Sequence, residues 1–468
     1  MTNKSIVTQY AVYLICSIAI LIGCKTANQE TKTIAIEADY AITNVSVLPM
    51  NSEQLLPNQT VLIENGKIKS INTSSTYNAK QVIDGTGKYL MPGLTEMHAH
   101  IPVATEGNDS LVTETLFLYL SQGITNIRGM LGNPYHLDLK KAVAKGDILG
   151  PRIYTSSPSL NGNTIPTPEE ARTKITQYQK DGYDFLKIHP GIKLEVWDEV
   201  EKTANEVGIP YAGHVPVEVG INRALAAKYK TVDHLDGYLE GLVPAAANVD
   251  PSKNGFFGYD FTDLVDESLI DALVTKTLDN KVGVVTTQTL FTRWFSPTPP
   301  EELLQAPEMQ YMSPKTLFTW RQSKTQLING ATYDVEKWER YIAIRTKILQ
   351  KMDAAGVTFL LGSDAPQVFN VPGFSLHHEL KAMADAGIAN FKILQAGTVN
   401  PAIFFDAKGT YGTIENGAVS DLVLLDANPL ENLGNASKIA GVMVGKEWLS
   451  KKTIDQRLAA IAVNYQAD

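Results

Sequence analysis

The pattern of apolar and polar positions changes near residue 91. Before it, short runs rich in β-formers alternate with turn residues such as Asn65-Gly66, which predicts a small β-sheet unit. After it, β-like runs alternate with stretches of helical period up to about residue 400, which is typical of parallel strands joined by crossover helices. Eight such runs suit an eightfold barrel; they cover residues 94–98, 124–128, 152–155, 185–189, 210–214, 231–234, 282–286 and 358–361.

The connections between these runs include regular helices and two long insertions. Helices of an outer ring are predicted at 168–180, 195–207 and 338–355. The insertions cover 242–266 and 291–341, and long excursions after barrel strands usually form lids or substrate walls. The second one is rich in aromatic residues, which indicates either an apolar substrate group or ordinary core packing.

Residues 411–449 return to strand-like runs, at 422–425 and 441–444, and we expect them to join the N-terminal strands in one β-sandwich. The predicted fold is therefore α/β: a (β/α)8 TIM-type barrel with a small β-sandwich formed by N- and C-terminal segments. The predicted boundaries are a signal peptide at 1–23, a tether at 24–36, the first sandwich part at 37–91, the barrel at 92–408, and the second sandwich part with a C-terminal tail at 409–468.

The first residues have the composition of a targeting segment. Lys4 supplies positive charge, and a short apolar run ends in Leu21-Ile22-Gly23-Cys24, which resembles a bacterial lipobox. This resemblance implies an exported protein that is lipid-anchored through Cys24 at the cell envelope, on the periplasmic side or at the outer membrane. The alternative, a membrane-spanning anchor, needs about 20 apolar residues, and this run is shorter.

Composition and charge narrow the class of partner. The 468 residues are 44% hydrophobic and 19% charged, as in a globular protein, and the net charge of -9 argues against nucleic acid as a ligand. Cys16 lies in the segment expected to be removed, so no pair remains for a disulfide. A small-molecule substrate is expected, the lipid anchor is the expected membrane contact, and a homo-oligomer is left open.

The first candidate for chemistry is His98-Ala99-His100, at the end of a predicted strand. Alternation along the strand places both imidazoles on one face, where they could share a metal ion. Two histidines near a turn are also often plain hydrogen-bonded polar groups.

Longer motifs help to decide between a metal site and a plain hydrogen-bonding role for these two histidines. The segment Met91-Pro92-Gly93-Leu94-Thr95-Glu96-Met97-His98-Ala99-His100 is similar to the signature that opens the barrel of the amidohydrolase superfamily. Residues 146–152 and 412–425 resemble further segments of that superfamily. The branch that this chain most resembles includes imidazolonepropionase-like proteins and metal-dependent dipeptidases of the prolidase type.

The resemblance implies a two-metal site. Lys187 matches a carboxylated lysine that bridges the metals; the alternative is an ordinary strand lysine beside a mononuclear site. His214 and His234 match the ligands of the second metal, and Asp364 matches the ligand that also shuttles the proton. Histidine-rich ligation fits two Zn²⁺ ions best, with Mn²⁺, Co²⁺ or Fe²⁺ as alternatives.

Other candidates carry weaker signals. Tyr238 could donate a hydrogen bond to a substrate carbonyl or simply pack in a loop. Arg128 precedes Gly129 where relatives often carry an acid, and it could be a structural ion partner or a substrate carboxylate clamp. His189 points the same way as Lys187 and could touch substrate. His136, His377 and His378 are predicted to be loop or structural residues.

The expected activity is hydrolysis of an amide bond, in a dipeptide or an N-acyl amino acid, by a metal-bridging hydroxide with Asp364 as the proton shuttle. The same site could hydrolyse an ester, a lactone, a cyclic amide or an organophosphate. An alternative of another class is a non-catalytic, surface-anchored binding lipoprotein. All six ligand positions are filled, which favours an enzyme.

Overall fold

The structure is a computed structural model that describes residues 35–73, 76–105 and 107–466. Cys24 lies outside the described residues, so its lipidation stays a prediction. The strands, in chain order, are β1 (Ile36–Val47), β2 (Leu56–Glu64), β3 (Lys67–Asn72), β4 (Tyr77–Asp84), β5 (Tyr89–Pro92), β6 (Leu94–Ala99), β7 (Ile124–Gly129), β8 (Arg152–Thr155), β9 (Leu186–Ile188), β10 (Tyr211–Gly213), β11 (Thr231–Asp233), β12 (Gly283–Val285), β13 (Phe359–Leu360), β14 (Leu422–Leu425), β15 (Ile439–Val444) and β16 (Glu447–Ser450).

The helices are α1 (Ser110–Ser121), α2 (Pro134–Lys145), α3 (Pro168–Asp181), α4 (Leu194–Val207), α5 (Gly220–Ala226), α6 (Ile270–Asp279), α7 (Pro300–Leu303), α8 (Pro314–Ile328), α9 (Val335–Ala355), α10 (Phe374–Asp385), α11 (Asn390–Gly397), α12 (Val399–Phe404) and α13 (Lys451–Gln466). Among the described residues, no helix combines the length and the apolar character that crossing a membrane requires.

Local sequence explains where the longer helices begin and end. The Thr167 hydroxyl accepts a hydrogen bond from the Glu170 amide at the start of α3, and Asp334 caps the first turn of α9 in the same way. Both helices end at a glycine in the left-handed region, Gly182 and Gly356. These caps fix the lengths of the crossover helices and thus the places where the following strands start.

The strands at the two ends of the chain form one sheet. Its order is β16-β15-β14-β5-β1-β2-β3, with β4 beside β1. The pairing of β14 with β5 is antiparallel and aligns Leu422 with Pro92. This confirms the prediction that the C-terminal strands join the N-terminal ones. The strands that were predicted to form a β-sandwich are all hydrogen-bonded into one sheet.

The eight predicted runs of the central region all form parallel strands, which confirms the mixed α/β class. Strands β6 to β8 form one parallel sheet, and β9 to β13 form another. Isolated parallel bridges connect the two sheets at both edges, between Ser156 and Phe185 and between Ala99 and Ala365. Most of the helices between these strands contribute buried residues to the same main apolar cluster as the strands themselves.

The C-terminal helix α13 is a feature that the sequence analysis left as a tail. Its buried residues Ile454, Leu458 and Ile461 follow a helical period, and the helix packs against α1 and β15. Helix α13 is thus part of the packed structure.

Candidate metal centre

The predicted metal ligands lie at the carboxyl ends of the parallel strands. His98 lies in β6 and His100 one residue beyond it, and Lys187 lies in β9. His214, His234 and Asp364 follow β10, β11 and β13 within a few residues. Parallel strands end on one side of their sheet, so the topology brings together side chains that are far apart in sequence.

One group of three side chains is arranged to hold a divalent ion. His100 Nε2 lies 2.6 Å from Asp364 Oδ1, and His98 Nε2 lies 3.4 Å from the same oxygen. One nitrogen from each ring and one carboxylate oxygen all lie within 4.8 Å of one another. Two imidazoles and a carboxylate in such a group are a common ligand set for Zn²⁺ and related ions.

The other two histidines lie beside this group. The ring centroids of His98 and His234 are 4.5 Å apart, and those of His214 and His234 are 4.8 Å apart. The four predicted imidazole ligands are therefore contiguous. They form one cluster.

Lys187 supplies a buried polar atom that lacks a hydrogen-bond partner among the described residues. Its side chain is fully buried, and its Nζ makes no hydrogen bond with any of the described residues. Gly213 leaves space for it, since a Cβ there would lie 3.3 Å from that nitrogen. Burial lowers the pKa of Lys187 to about 8, although Asp233 and Asp364 oppose the shift. A less basic amine in a polar cluster fits both carbamate formation and a role beside metal ions.

In three of the clustered imidazoles, Nδ1 lies close to an oxygen of a polar side chain. His98 Nδ1 lies 2.8 Å from Asp233 Oδ2, and His214 Nδ1 lies 2.9 Å from Asp236 Oδ2. His234 Nδ1 lies 2.8 Å from the Thr287 hydroxyl oxygen. Partners of this kind fix ring orientation and leave Nε2 free for a metal ion.

The protonation of these rings also suits metal binding. Burial, reinforced by the Lys187 charge, lowers the pKa of His214 to about 3. Burial is likewise the main cause that lowers the pKa of His98 and of His234 well below the usual range. Neutral imidazole is the form that binds a metal ion, so the environment holds these ligands in their competent state.

The backbone turns sharply where the ligands leave their strands. Asp364 has φ 64° and His234 has φ 67°, and Thr287, which orients His234, has φ 39°. Non-glycine residues rarely adopt the left-handed region, and such conformations concentrate at functional sites. Surrounding contacts must hold these three residues in place.

Two buried carboxylates provide such contacts, and sequence reasoning missed both. Glu96 accepts hydrogen bonds from the amides of His98 and Ser363 and from the Ser363 hydroxyl. It thereby joins the ends of β6 and β13. Glu379 of α10 accepts from the amides of Gln288 and Thr289, next to Thr287. For Glu96 the available signal was an acidic residue inside the otherwise uncharged run 89–97, whereas Glu379 lies between His378 and Lys381 and carried no such signal.

Arg128 is fully buried and bound to the structure beneath the cluster. Its Nη2 lies 3.1 Å from Asp233 Oδ2, its Nη1 donates to the Thr231 hydroxyl, and its Nε donates to the Met97 carbonyl. These contacts are those of the structural ion partner and not of a substrate clamp. Arg128 acts on the cluster through Asp233, which contacts His98.

The structure does not bring Tyr238 into the cluster. Its side chain is fully buried, and its hydroxyl shares a hydrogen bond of 2.9 Å with Thr277 of α6. These are the contacts of a packing residue, and they give no support to a catalytic role. His136, His377 and His378 likewise bond to Pro102, Gln122 and Glu308, away from the ligand set.

His189 connects the cluster to an open cleft. Its ring stacks on His214 at a centroid distance of 5.1 Å, and its Nδ1 lies 2.7 Å from the Ser159 hydroxyl oxygen. The cleft has a volume of about 550 Å³, and the described residues that line it include neither Lys nor Arg: Leu131, Ser159, Asn161, Gly162, Asn163, His189, Pro190 and Gly191. It offers a polar but uncharged surface beside the second pair of histidines.

Comparisons with known sequences gave a match over most of the chain. A family model described as the amidohydrolase family matches residues 89–449, well over half of the chain. An adenine deaminase of Desulforamulus reducens is 31% identical over 102 residues, which cover 20% of this chain and 17% of that relative. The chain thus matches only a small part of the length of this curated relative.

Solved structures resemble the fold over most of the chain. A Xaa-Pro dipeptidase with bound methionine in the active site has a TM-score of 0.63 and 19% identity, over 88% of this chain and 99% of that one. Bottromycin amidohydrolase has a TM-score of 0.66 and 18% identity, over 91% of this chain and 90% of that one.

Proposed function

Because this chain belongs to the amidohydrolase family, we propose that it is a binuclear metal-dependent hydrolase of an amide bond, in a peptide or an N-acyl amino acid. The observation that carries the proposal is the convergence of the His98 and His100 rings on Asp364 Oδ1 beside the unpartnered amine of Lys187. A structural role would not require four contiguous imidazoles around a buried lysine.

The proposed scaffold is a closed (β/α)8 barrel. Its support is the pair of parallel bridges at Ser156–Phe185 and Ala99–Ala365, which connect the two parallel sheets at both edges. Closure would place all ligands around one axis at the carboxyl ends of the strands, where barrel enzymes carry their active sites.

The residues divide into two proposed ligand sets. His98, His100 and Asp364 would hold one ion, and His214 and His234 would hold the other. Lys187 would contribute to both as a carbamate, for which its depressed pKa and free Nζ provide support. When bound, two Zn²⁺ ions or related divalent cations supply Lewis acidity that polarises the scissile carbonyl and ionises water near neutral pH.

The chain's own residues supply orientation and proton transfer. Asp364 lies at the end of β13 with its Oδ1 atom between the first two histidines, from which it would take the proton of the attacking water and deliver it to the leaving amine. His189 and the polar cleft beside it would position the substrate by hydrogen bonds. No covalent intermediate with the chain is needed.

The test is product release from a library of dipeptides and N-acyl amino acids by the Zn²⁺-loaded protein. Asp364→Asn should abolish release, because the side-chain amide that replaces the carboxylate cannot accept the proton of the attacking water. The matched control is Asp385→Asn on α10, whose carboxylate forms an exposed i,i+4 pair with Lys381 and which should keep full activity.

Other outcomes would reassign the activity. If no amide is cleaved while metal analysis shows occupied sites, the proposal fails, and esters, lactones, cyclic amides and organophosphates are the next substrates. Release of ammonia from an aminopurine would instead indicate a deaminase, the activity named for the relative from Desulforamulus reducens.

A further inference from the structure

The insertion after β11 carries one aromatic residue in an unusual backbone conformation. Phe257 has φ 50° and ψ 47°, and it is followed by Gly258 at φ 82°. A bulky side chain in the left-handed region costs free energy, so the surrounding contacts must hold it there. At Gly258 a Cβ would lie 2.7 Å from the Leu239 Cβ, which shows how closely the loop packs on the segment that follows β11.

The strained conformation places the Phe257 ring against the second pair of metal-ligand candidates. Its centroid lies 5.3 Å from that of His234, at an interplanar angle of 63°, and 5.8 Å from that of His214. Phe257 is only partly buried, so part of its surface remains accessible.

Long-range contacts hold this loop. The Tyr341 hydroxyl donates a 3.0 Å hydrogen bond to the Phe257 carbonyl. The Phe257 ring also lies edge-to-face against Phe291, at a centroid distance of 5.3 Å, and against Phe256, at 4.8 Å. An aromatic layer from both insertions therefore supports Phe257 from behind.

Two buried arginines of this region are already bound to other groups. Arg345 donates to the His234 carbonyl and the Gln288 side chain, and its guanidinium lies 3.5 Å from the Phe291 ring centroid. Arg128 is bound to Asp233. Neither arginine is therefore free to form a salt bridge with a substrate group that meets the Phe257 ring.

We propose that Phe257 is a specificity-determining residue that forms an apolar wall beside His214 and His234 and selects amides with an aromatic or large aliphatic group next to the scissile bond. This inference rests on the proposed function for the reaction, but the selection itself can be measured separately. Phe257 would contact substrate directly, and the aromatic layer behind it would set its position.

The experiment compares N-acetylphenylalanine with N-acetylalanine as substrates of the Zn²⁺-loaded protein. The wild type should prefer the phenylalanine compound by about 10- to 100-fold in kcat/KM, the range expected for a hydrophobic subsite. Phe257→Ala should remove most of this preference by slowing the phenylalanine compound alone, and Phe257→Leu should give an intermediate ratio. Phe318→Ala, on an exposed position of α8, should retain the wild-type ratio.

The outcomes separate the inference from the reaction on which it rests. Equal losses on both compounds, with metal content and unfolding midpoint unchanged, would mean that Phe257 only packs and would overturn the inference. If the wild type hydrolyses neither compound, the proposed amide hydrolysis is contradicted. The affinities of the two compounds, measured by calorimetry, then test whether Phe257 selects the larger group. Equal affinities in that measurement, or a wild-type preference that Phe257→Leu leaves intact, would also overturn it.

Discussion

Replacing Arg128 by methionine should destabilise the protein strongly, because it leaves Asp233 charged and unpaired in the interior. Both side chains are 0% exposed. Removing one partner of a buried pair costs about 3–5 kcal/mol. The lower end applies here, since the Thr231 hydroxyl continues to donate to Asp233 Oδ1 at 2.7 Å.

The informative comparison is Asp233→Asn in two backgrounds. In the wild type it leaves Arg128 without its counter-charge, which should cost about 3 kcal/mol. In the Arg128→Met background the same change removes an unpaired carboxylate, and it should restore about 1–2 kcal/mol. The sign of one substitution therefore reverses, and the coupling free energy is well above that of independent sites.

The assay is urea unfolding of the four proteins in the presence of a chelator, so that metal binding does not contribute. The control cycle uses Arg223→Met and Asp198→Asn, a 2.8 Å pair with both side chains about half exposed, for which coupling should stay below about 1 kcal/mol. Additive effects at Arg128 and Asp233 would refute the reasoning.

Because Asp233 orients His98, Asp233→Asn should also weaken metal binding about 10- to 100-fold in both backgrounds.

Two further predictions concern other buried groups. Lys187→Ala should lower the metal content measured by mass spectrometry from two ions per chain to one, with partial recovery in millimolar acetate as a replacement carboxylate; two retained ions would contradict the bridging role. Burial raises the pKa of Glu379 from 4.5 to about 7, so the folded protein binds this proton more tightly than the unfolded chain. The resulting stability, about 3 kcal/mol, is fully present below pH ~4.5 and is lost as the pH rises through about 7. Glu379→Gln should flatten the stability profile over this range in urea unfolding, and an unchanged slope would argue against it.

The central strands and the positions of the clustered histidines at their ends could be predicted because their signals are local. Strands that are buried on both faces appear as short apolar runs between turn residues, and each predicted run differs from its strand by at most about two residues. His98 and His100 share one face by strand alternation alone. Helix α13 carried an equally local signal in the spacing of Ile454, Leu458 and Ile461, so its omission was avoidable.

The supporting contacts could not be predicted because they join distant segments. Glu96 bonds to Ser363 across 267 positions, and Phe257 is held by Tyr341 across 84. Nothing near Phe257 in the sequence indicates that its backbone adopts the left-handed region. Arg128 shows the same limit: its sequence context left two roles open, and only the position of Asp233 distinguishes them.

The pairing of β5 with β14 has a consequence for the newly made chain. Strand β5 leads directly into β6 and pairs with β1 on one side, yet its partner on the other side, β14, is translated only after all the proposed ligands, since Leu422 follows Asp364. Until then β5 presents an unpaired apolar edge, and such an edge is a template for association with other chains. A truncated chain that ends just after α12 would contain every proposed ligand. It would still tend to aggregate before it could acquire metal.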